Sequence, residues 1–181
     1  MRRRPEYYLV IDVEATCDDN DRIPRYEKEI IEMGAVMVEG DTLELVDEFQ
    51  SFVRPVRHSK LTPFCIDLTT IRQIEVDTAP RFGDMMSKFS RWLRLYPGFL
   101  FTSWGKYDLI QIERDCEYNS VKYPLGRRHL NLKTEYAKRQ SLQKPVGMTT
   151  AMRRSGLYLQ GTHHRGIDDA RNIARLLPFI V

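Results

Sequence analysis

The sequence has 181 residues, of which 42% are hydrophobic and 29% are charged, and its formal net charge at neutral pH is +3. This length fits one domain with a single core, and the apolar runs are too short for a membrane span or for the core of a signal peptide. The three cysteines are widely spaced and odd in number, which excludes a disulfide framework and a CxxC-type zinc site. We therefore expect a soluble, cytoplasmic protein with no disulfide partner and no membrane contact.

The first half of the chain predicts a sheet formed by three strands, followed by helices. Segments rich in aromatic and β-branched residues predict strands at 7–13, 30–38 and 43–53. The polar segment 17–29 is predicted to be a loop, and the turn residues at 39–42 join the second strand to the third. Beyond a loop that Pro55 and Pro63 bracket, helical patterns follow at about 69–76 and about 81–95.

The second half of the chain alternates strands with helices. Strands are predicted at 99–104 and 128–132. Helices are predicted at 108–119, 133–139, 149–155 and 167–177. Consecutive paired strands followed by alternating strands and helices are typical of an α/β fold, in which helices cover a mixed sheet.

Two acidic residues stand at the carboxyl end of the first strand. Asp12 and Glu14 are two positions apart, so they point to the same face of the strand. Ligands of open α/β sheets bind beyond this end, and two close carboxylates raise each other's pKa unless a cation lies between them. Oxygen donors of this kind suit Mg²⁺ or Mn²⁺, although a solvated strand end explains the pattern more often when it occurs alone.

Two further carboxylates favour a metal site. Asp108 follows the strand at 99–104 and falls in the first turn of a helix, where helix capping is an alternative explanation. In the last helix, Asp169 falls on the apolar half and Asp168 on the polar half, so Asp169 is the one that needs a partner. His164 lies five residues earlier, and histidine is the side chain best suited to gain and lose a proton near neutral pH.

Three motifs together resemble a known family. The segments IDVEAT (11–16), SWGKYD (103–108) and HHRGIDDARNIA (163–174) resemble the DEDDh 3′→5′ exonucleases, which have a ribonuclease H-like fold and are relatives of the bacterial polymerase proofreading subunit. Their pattern is D-x-E-x-T, a distant D, and then H-x-x-x-x-D. The residues that fill it in order are Asp12, Glu14, Asp108, His164 and Asp169.

Other segments resemble one subfamily. FCIDLTTIRQ (64–73), the cysteine after EAT and the WG before Asp108 are similar to the Eri-type exonucleases, which include the histone-mRNA 3′ exonuclease. The resemblance implies a mixed five-stranded sheet flanked by helices and a single exonuclease domain spanning residues 1–181. It also implies trimming of single-stranded RNA 3′ ends or overhangs, with release of nucleoside 5′-monophosphates.

The resemblance further implies two divalent cations, Mg²⁺ or Mn²⁺, as cofactors. Asp12 would bridge both ions, Glu14 and Asp169 would complete one, and Asp108 would serve the other, partly through water. His164 would deprotonate the attacking water. His163 is the competing candidate for this base, although the spacing to Asp169 favours His164.

Substrate contacts are implied in the same way. The residues are Ala15, Thr16, Phe64, Cys65, Leu68, Trp104 and Arg165. Core packing explains Trp104 equally well, and the apolar face of a short helix explains the residues at 64–68. The arginine pairs at 127–128 and 153–154 are further candidates for phosphate contacts, although most surface charges are merely solvated.

Two other functions remain open from the sequence. The first is a 3′→5′ DNA exonuclease or proofreading-type subunit, which would share the same acidic residues and act on single-stranded DNA. The second is a catalytically silent RNA-binding scaffold, against which the intact carboxylates argue. We expect a monomer or a weak homodimer that binds a single-stranded RNA 3′ end.

Overall fold

A mixed five-stranded sheet organises the chain. The computed structural model describes residues 4–20 and 22–181, so residues 1–3 and Asp21 of the predicted loop lie outside the described residues. The strands are β1 (Tyr7–Ala15), β2 (Ile30–Glu39), β3 (Leu45–Phe52), β4 (Phe99–Ser103) and β5 (His129–Asn131), in the spatial order β3-β2-β1-β4-β5.

The pairing of the strands gathers several chain segments at one edge of the sheet. β1 and β2 are antiparallel, as are β2 and β3, whereas β4 pairs in parallel with both β1 and β5. The carboxyl ends of β1, β4 and β5 therefore lie at the same edge. The predicted mixed sheet is confirmed, and the segments that follow β1 and β4 emerge side by side.

Helices cover both faces of the sheet. They are α1 (Pro63–Thr69), α2 (Gln73–Asp77), α3 (Phe82–Leu93), α4 (Tyr107–Tyr118), α5 (Leu132–Arg139), α6 (Met148–Arg154) and α7 (Gly166–Ala174), and a 3₁₀ turn spans Leu177–Phe179. Within residues 4–20 and 22–181, none of these helices has the length and apolarity that crossing a membrane would require.

β1 is the central strand and is buried on both sides. Its odd-numbered residues, such as Leu9 and Ile11, belong to one core cluster with residues of α3 and α4. Its even-numbered residues, Tyr8 and Val10, belong to a second cluster with residues of α5, α6 and α7. A strand with helices on both faces is apolar at nearly every position, which explains the Tyr-Tyr-Leu-Val-Ile run.

The helix predicted at 69–76 begins too early, because the helix there is α2, which spans Gln73–Asp77. The helix α1 at Pro63–Thr69 was not predicted, and it forms because the Thr62 side chain accepts a hydrogen bond from the Cys65 N–H and proline occupies the first turn. Thr70 then takes a left-handed conformation with φ of 60°, which ends the helix before α2 begins at Gln73. The last predicted helix also ends earlier, at Ala174.

Candidate active site

Asp12 and Glu14 lie on the face of β1 that α7 covers. They follow Tyr8 and Val10 in the alternation of the strand, and these residues share a core cluster with Ile167 of α7. In the register with β2, Asp12 is opposite Gly34, and Glu14 is opposite Glu32. The strand extends through Ala15, two residues beyond the predicted end, so both carboxylates are held by regular sheet structure.

Asp108 and Asp169 approach the same place from two helices. Asp108 is buried in the first turn of α4, and its Oδ1 accepts a hydrogen bond of 3.1 Å from the N–H of Val13. Asp169 is buried in the first turn of α7, as predicted. Ligand oxygens of Asp12, Glu14 and Asp169 all lie within 4.8 Å of one another.

Burial and mutual repulsion disfavour negative charge in this cluster. Burial raises the pKa of Asp12 well above its usual value, with Asp108 and Glu14 adding to the effect. Burial also raises the pKa of Glu14 to about 8. It raises the pKa of Asp108 to about 6, although the hydrogen bond from the Val13 N–H acts to lower this pKa. The pKa of Asp169 is raised by burial as well. The cluster therefore ionises fully only when cations compensate it.

Both neighbouring histidines reach this cluster, in different ways. His163 Nδ1 lies 2.8 Å from Asp169 Oδ2, and the His164 main-chain N–H donates to the same oxygen at 3.0 Å. The two rings stack with centroids 3.9 Å apart, which leaves His164 Nδ1 4.0 Å from Glu14 Oε1. His164 has a φ of 64°, so its backbone is left-handed. Burial lowers the pKa of His164, with the neighbouring His163 as the second cause.

The donor set fits a divalent cation. Three carboxylates offer oxygens close enough to share one ion, and burial together with the neighbouring carboxylates raises the pKa of Asp12 and of Glu14. Oxygen donors of this type favour hard cations such as Mg²⁺ and Mn²⁺ over thiophilic metals.

The predicted catalytic residues line one cavity of about 270 Å³. Its walls are Asp12, Val13, Glu14, Trp104, Tyr107, Asp108, Met148, His163, His164, Asp169 and Ile173. All five predicted catalytic positions are therefore brought together, and Trp104 is at the site as well. Tyr107 was missed, although it directly precedes Asp108 and is 48% exposed at the start of α4.

The remaining predicted substrate residues divide into exposed and buried ones. On α1, Phe64 is exposed and Leu68 is partly buried, so both keep accessible surface. Cys65 is fully buried and approaches the carbonyl oxygen of Ala15, which makes it a core residue and contradicts its predicted substrate contact. Ala15 is itself buried. Thr16 is also buried, and its hydroxyl accepts a hydrogen bond from the Glu29 N–H at 3.0 Å, so the Thr16 side chain stabilises the loop that follows β1.

Arg165 has a different partner from the predicted phosphate. Its Nε donates to Glu32 Oε2 at 3.0 Å, and it does not line the carboxylate cavity. Glu32 is fully buried and also accepts from Gln50 Nε2 at 2.6 Å and from the Gly166 N–H at 3.1 Å. Sequence reasoning missed Glu32, although an acid within the apolar segment IIEMGAV needs a partner as much as Asp169 does.

The family follows from a comparison with known sequences. Residues 9–177 match the family described as "Exonuclease". The chain belongs to this exonuclease family. The chain is similar to the nuclease domain of 3′hExo, a DEDDh family member bound to rAMP. The TM-score is 0.87, and the identity is 30% over 96% of this chain and 90% of that one. The predicted resemblance to the DEDDh enzymes is therefore confirmed.

Curated relatives of this exonuclease domain carry related names. It is 33% identical to 3′-5′ exoribonuclease 1 of Homo sapiens over 94% of this chain and 51% of the relative. It is 32% identical to ERI1 exoribonuclease 3 of Bos taurus over 97% of this chain and 53% of the relative. The chain thus spans about half the length of the curated relatives it matches.

A more distant structure shows the fold alone. Exonuclease I shares 9% identity and gives a TM-score of 0.73 over 97% of this chain. The arrangement of sheet and helices is therefore common to exonucleases of very different sequence, and the predicted ribonuclease H-like fold class is confirmed.

Proposed function

We propose that the chain is a metal-dependent 3′→5′ exoribonuclease that releases nucleoside 5′-monophosphates from single-stranded RNA 3′ ends or overhangs. The observation that carries this proposal is the convergence of Asp12, Glu14, Asp108 and Asp169 in one cavity beside two histidines. The names of the curated relatives support RNA as the substrate. Two solved structures of similar chains, one with rAMP and one with a histone mRNA stem-loop, support action at a 3′ end.

We expect two divalent cations, Mg²⁺ or Mn²⁺, at the carboxylates. Asp12, Glu14 and Asp169 would hold one, and Asp12 and Asp108 would hold the other. Bound cations of this type neutralise the carboxylates, lower the pKa of bound water and stabilise charge on a leaving oxygen. The carboxylates orient these ions because β1, α4 and α7 fix them from three directions.

His164 is the proposed general base. Its ring is free of the Asp169 carboxylate, which His163 engages through a 2.8 Å contact. Since burial lowers the pKa of His164, its imidazole is neutral near pH 7 and able to accept a proton from water. His163 has a positioning role in this proposal, because its contact restrains a metal-binding carboxylate.

Aromatic side chains flank the place where a terminal nucleotide would lie. Trp104 and Tyr107 both line the cavity, and aromatic faces bind unpaired bases by stacking. Trp104 is held by a hydrogen bond from its Nε1 to the Val146 carbonyl oxygen at 3.2 Å. Phe64 and Leu68 of α1 would extend this surface. We further propose that residues 1–181 form one domain, which acts in the cytoplasm as a monomer or weak homodimer.

The decisive experiment compares matched 5′-labelled RNA and DNA oligonucleotides with Mg²⁺, Mn²⁺ or a chelator. A ladder that shortens from the 3′ end, faster on RNA and absent with the chelator, is the expected result. Faster shortening of DNA would favour the DNA exonuclease. Release no greater than that of an Asp12→Ala variant would favour a silent RNA-binding protein, and cleavage that survives chelation would contradict the metal mechanism.

A further inference from the structure

A second cavity lies at the other end of the same face of the sheet. It has a volume of about 640 Å³, and its walls are Arg4, Pro5, Tyr8, Leu100, Arg127, Arg128, His129, Leu130, Arg139 and Val181. Three separate segments supply the arginines: the residues before β1, the residues leading into β5, and the end of α5. We call the four arginines of this cavity, Arg4, Arg127, Arg128 and Arg139, the arginine pocket.

No Asp or Glu side chain of the described residues lines the arginine pocket, although Arg4 also borders a neighbouring cavity that contains Glu6, Glu39 and Asp41. Among the residues that the structure describes, Arg127, Arg128 and Arg139 form no ion pair, and Arg4 donates only to the main-chain oxygen of Asp41, at 3.2 Å. By contrast, Arg165 and Arg171 lie against carboxylates elsewhere in the fold.

All four arginines are exposed, so their guanidinium groups are accessible to a ligand. Arg139 is in the last turn of α5, where the helix dipole favours a cation, but the other three arginines lie outside helices. Guanidinium groups that share one cavity repel one another, and a bound anion would remove this repulsion. Arginine matches the geometry of phosphate groups particularly well, through paired hydrogen bonds.

The position of the pocket relates it to the carboxylate cavity. Tyr8, which lines the pocket, is on the same face of β1 as Asp12 and Glu14. At a rise of about 3.3 Å per residue, Tyr8 is roughly 13 Å along the strand from Asp12 and roughly 20 Å from Glu14. Because residues of α5, α6 and α7 bury this face of β1, an RNA strand must pass around these helices, and at about 3.4 Å for each stacked nucleotide it needs at least about six nucleotides to join the two cavities.

We propose that the arginine pocket binds backbone phosphates of the RNA strand, about six or more nucleotides upstream of the 3′ end held in the carboxylate cavity. This inference rests on the proposed function, since it takes RNA as the substrate. The pocket holds the strand in place while its terminal nucleotides are removed. A strand too short to reach from one cavity to the other gains nothing from the pocket.

The test measures RNA binding by fluorescence anisotropy with Ca²⁺ in place of Mg²⁺, so that the carboxylates are neutralised while hydrolysis is minimal. The probes are a labelled uridine dodecanucleotide and a labelled uridine trinucleotide. In the variant Arg127→Gln/Arg128→Gln/Arg139→Gln, we expect the dodecanucleotide to bind about tenfold more weakly. The slope of log affinity against log salt should fall by about 0.7 for each phosphate that the variant no longer neutralises. Binding of the trinucleotide should not change.

The matched control removes three charges from the opposite face. Lys88, Arg91 and Arg94 are exposed on or just after α3, whose buried residues pack against the other side of β1. The variant Lys88→Gln/Arg91→Gln/Arg94→Gln should bind both probes as the original protein does. Thermal melting of both variants verifies that they are folded.

Several results would overturn the proposal. One is an equal loss of dodecanucleotide binding in the two triple variants, which would reflect net charge alone. Another is an equal loss of binding for the trinucleotide and the dodecanucleotide, because the effect would then not depend on the length of the strand. A third is competition by inorganic phosphate as strong as that by RNA, because the pocket would then bind isolated phosphate. Since this assay needs no catalysis, an arginine-dependent affinity would stand even if the protein failed to hydrolyse RNA.

Discussion

Asp12 and Glu14 have carboxyl groups in surroundings that oppose their ionisation. Burial is the main cause, and the other carboxylates of the cavity add to it. A group whose pKa is raised keeps its proton to a higher pH, and a cation that binds there must displace this proton. Metal binding and proton release are therefore coupled at this site.

From this coupling we predict that affinity for Mn²⁺ rises with pH through the pKa of Glu14, which is about 8. The rise should be roughly tenfold per pH unit for each proton displaced. Isothermal titration calorimetry in two buffers of different ionisation enthalpy measures the number of protons released. An affinity that does not vary between pH 6 and pH 8, about the pKa range of Asp108 and Glu14, would contradict the prediction.

The two histidines should differ in their effect on activity. We predict that His164→Ala lowers kcat/KM by about 10²–10⁴-fold, since it removes the proposed general base. His163→Ala should cost less, because it removes only the contact that restrains Asp169. Activity of the unmodified protein should fall as the pH drops through the pKa of His164, which burial holds below its usual value.

Nucleotide release from labelled RNA, measured across pH at saturating metal, separates these effects. The low-pH decline should be absent in His164→Ala and retained in His163→Ala. An equal or larger loss in His163→Ala would instead identify His163 as the base.

At the level of elements, β2 and α7 approach so closely that only glycine fits between them. A Cβ added to Gly34 would lie 2.1 Å from the carbonyl carbon of Gly166, at the start of α7. A Cβ on Gly166 would lie 2.9 Å from the main-chain oxygen of Asp12. The two glycines thus allow the first turn of α7, which carries Asp169, to rest on β2 and on β1, which carries Asp12 and Glu14.

We predict that Gly34→Ala destabilises the protein by about 1–3 kcal/mol and weakens metal binding, since α7 must shift away from the sheet. Gly83→Ala is the matched control, because the added Cβ meets only Val121, at 3.7 Å, and alanine favours a helix. Urea unfolding and Mn²⁺ titration of both variants measure the two effects. Full metal affinity in Gly34→Ala would show that α7 tolerates the displacement.

A buried ion pair reinforces the same contact between β2 and α7. Glu32 of β2 accepts hydrogen bonds from Arg165, from the Gly166 N–H and from Gln50 of β3. Three elements are thereby joined beneath the turn that contains His163 and His164. Arg165 contributes to the site by supporting this turn, which explains why it does not line the cavity.

For the whole molecule, the carboxylate cluster lowers stability when no metal is bound. Because the pKa of Asp12 is higher in the folded state than in the unfolded chain, ionisation of this group opposes folding above its unfolded pKa. We predict that Asp12→Asn raises the melting temperature of the metal-free protein at neutral pH. The difference should disappear in acid, where Asp12 is protonated in both states.

The same variant should lose the stabilisation that Mn²⁺ gives the unmodified protein. That stabilisation is about 2.7 kcal/mol when free metal exceeds its Kd a hundredfold. Differential scanning calorimetry with Mn²⁺ and with chelator measures both effects. A lower metal-free melting temperature in Asp12→Asn would show that its carboxylate has a structural role.

Local patterns were enough to predict most elements and the orientation of the acidic residues. Strand alternation placed Asp12 and Glu14 on one face, and helical periodicity placed Asp169 on the apolar side of α7, because both depend only on near neighbours in the chain. The start of the helix predicted at 69–76 was wrong, and α1 was missed, because a side-chain cap at Thr62 and a left-handed Thr70 decide where α1 begins and ends. Periodicity does not reveal either feature.

The sequence alone therefore determined the family, the strands and the identity of the acidic residues. Only the tertiary structure showed that Cys65 and Thr16 are buried, that Arg165 pairs with Glu32, and that four arginines from three segments meet in one cavity. The physical reason is distance along the chain: burial, ion pairing and shared cavities depend on residues that are remote in sequence and become neighbours only when the sheet and its helices assemble.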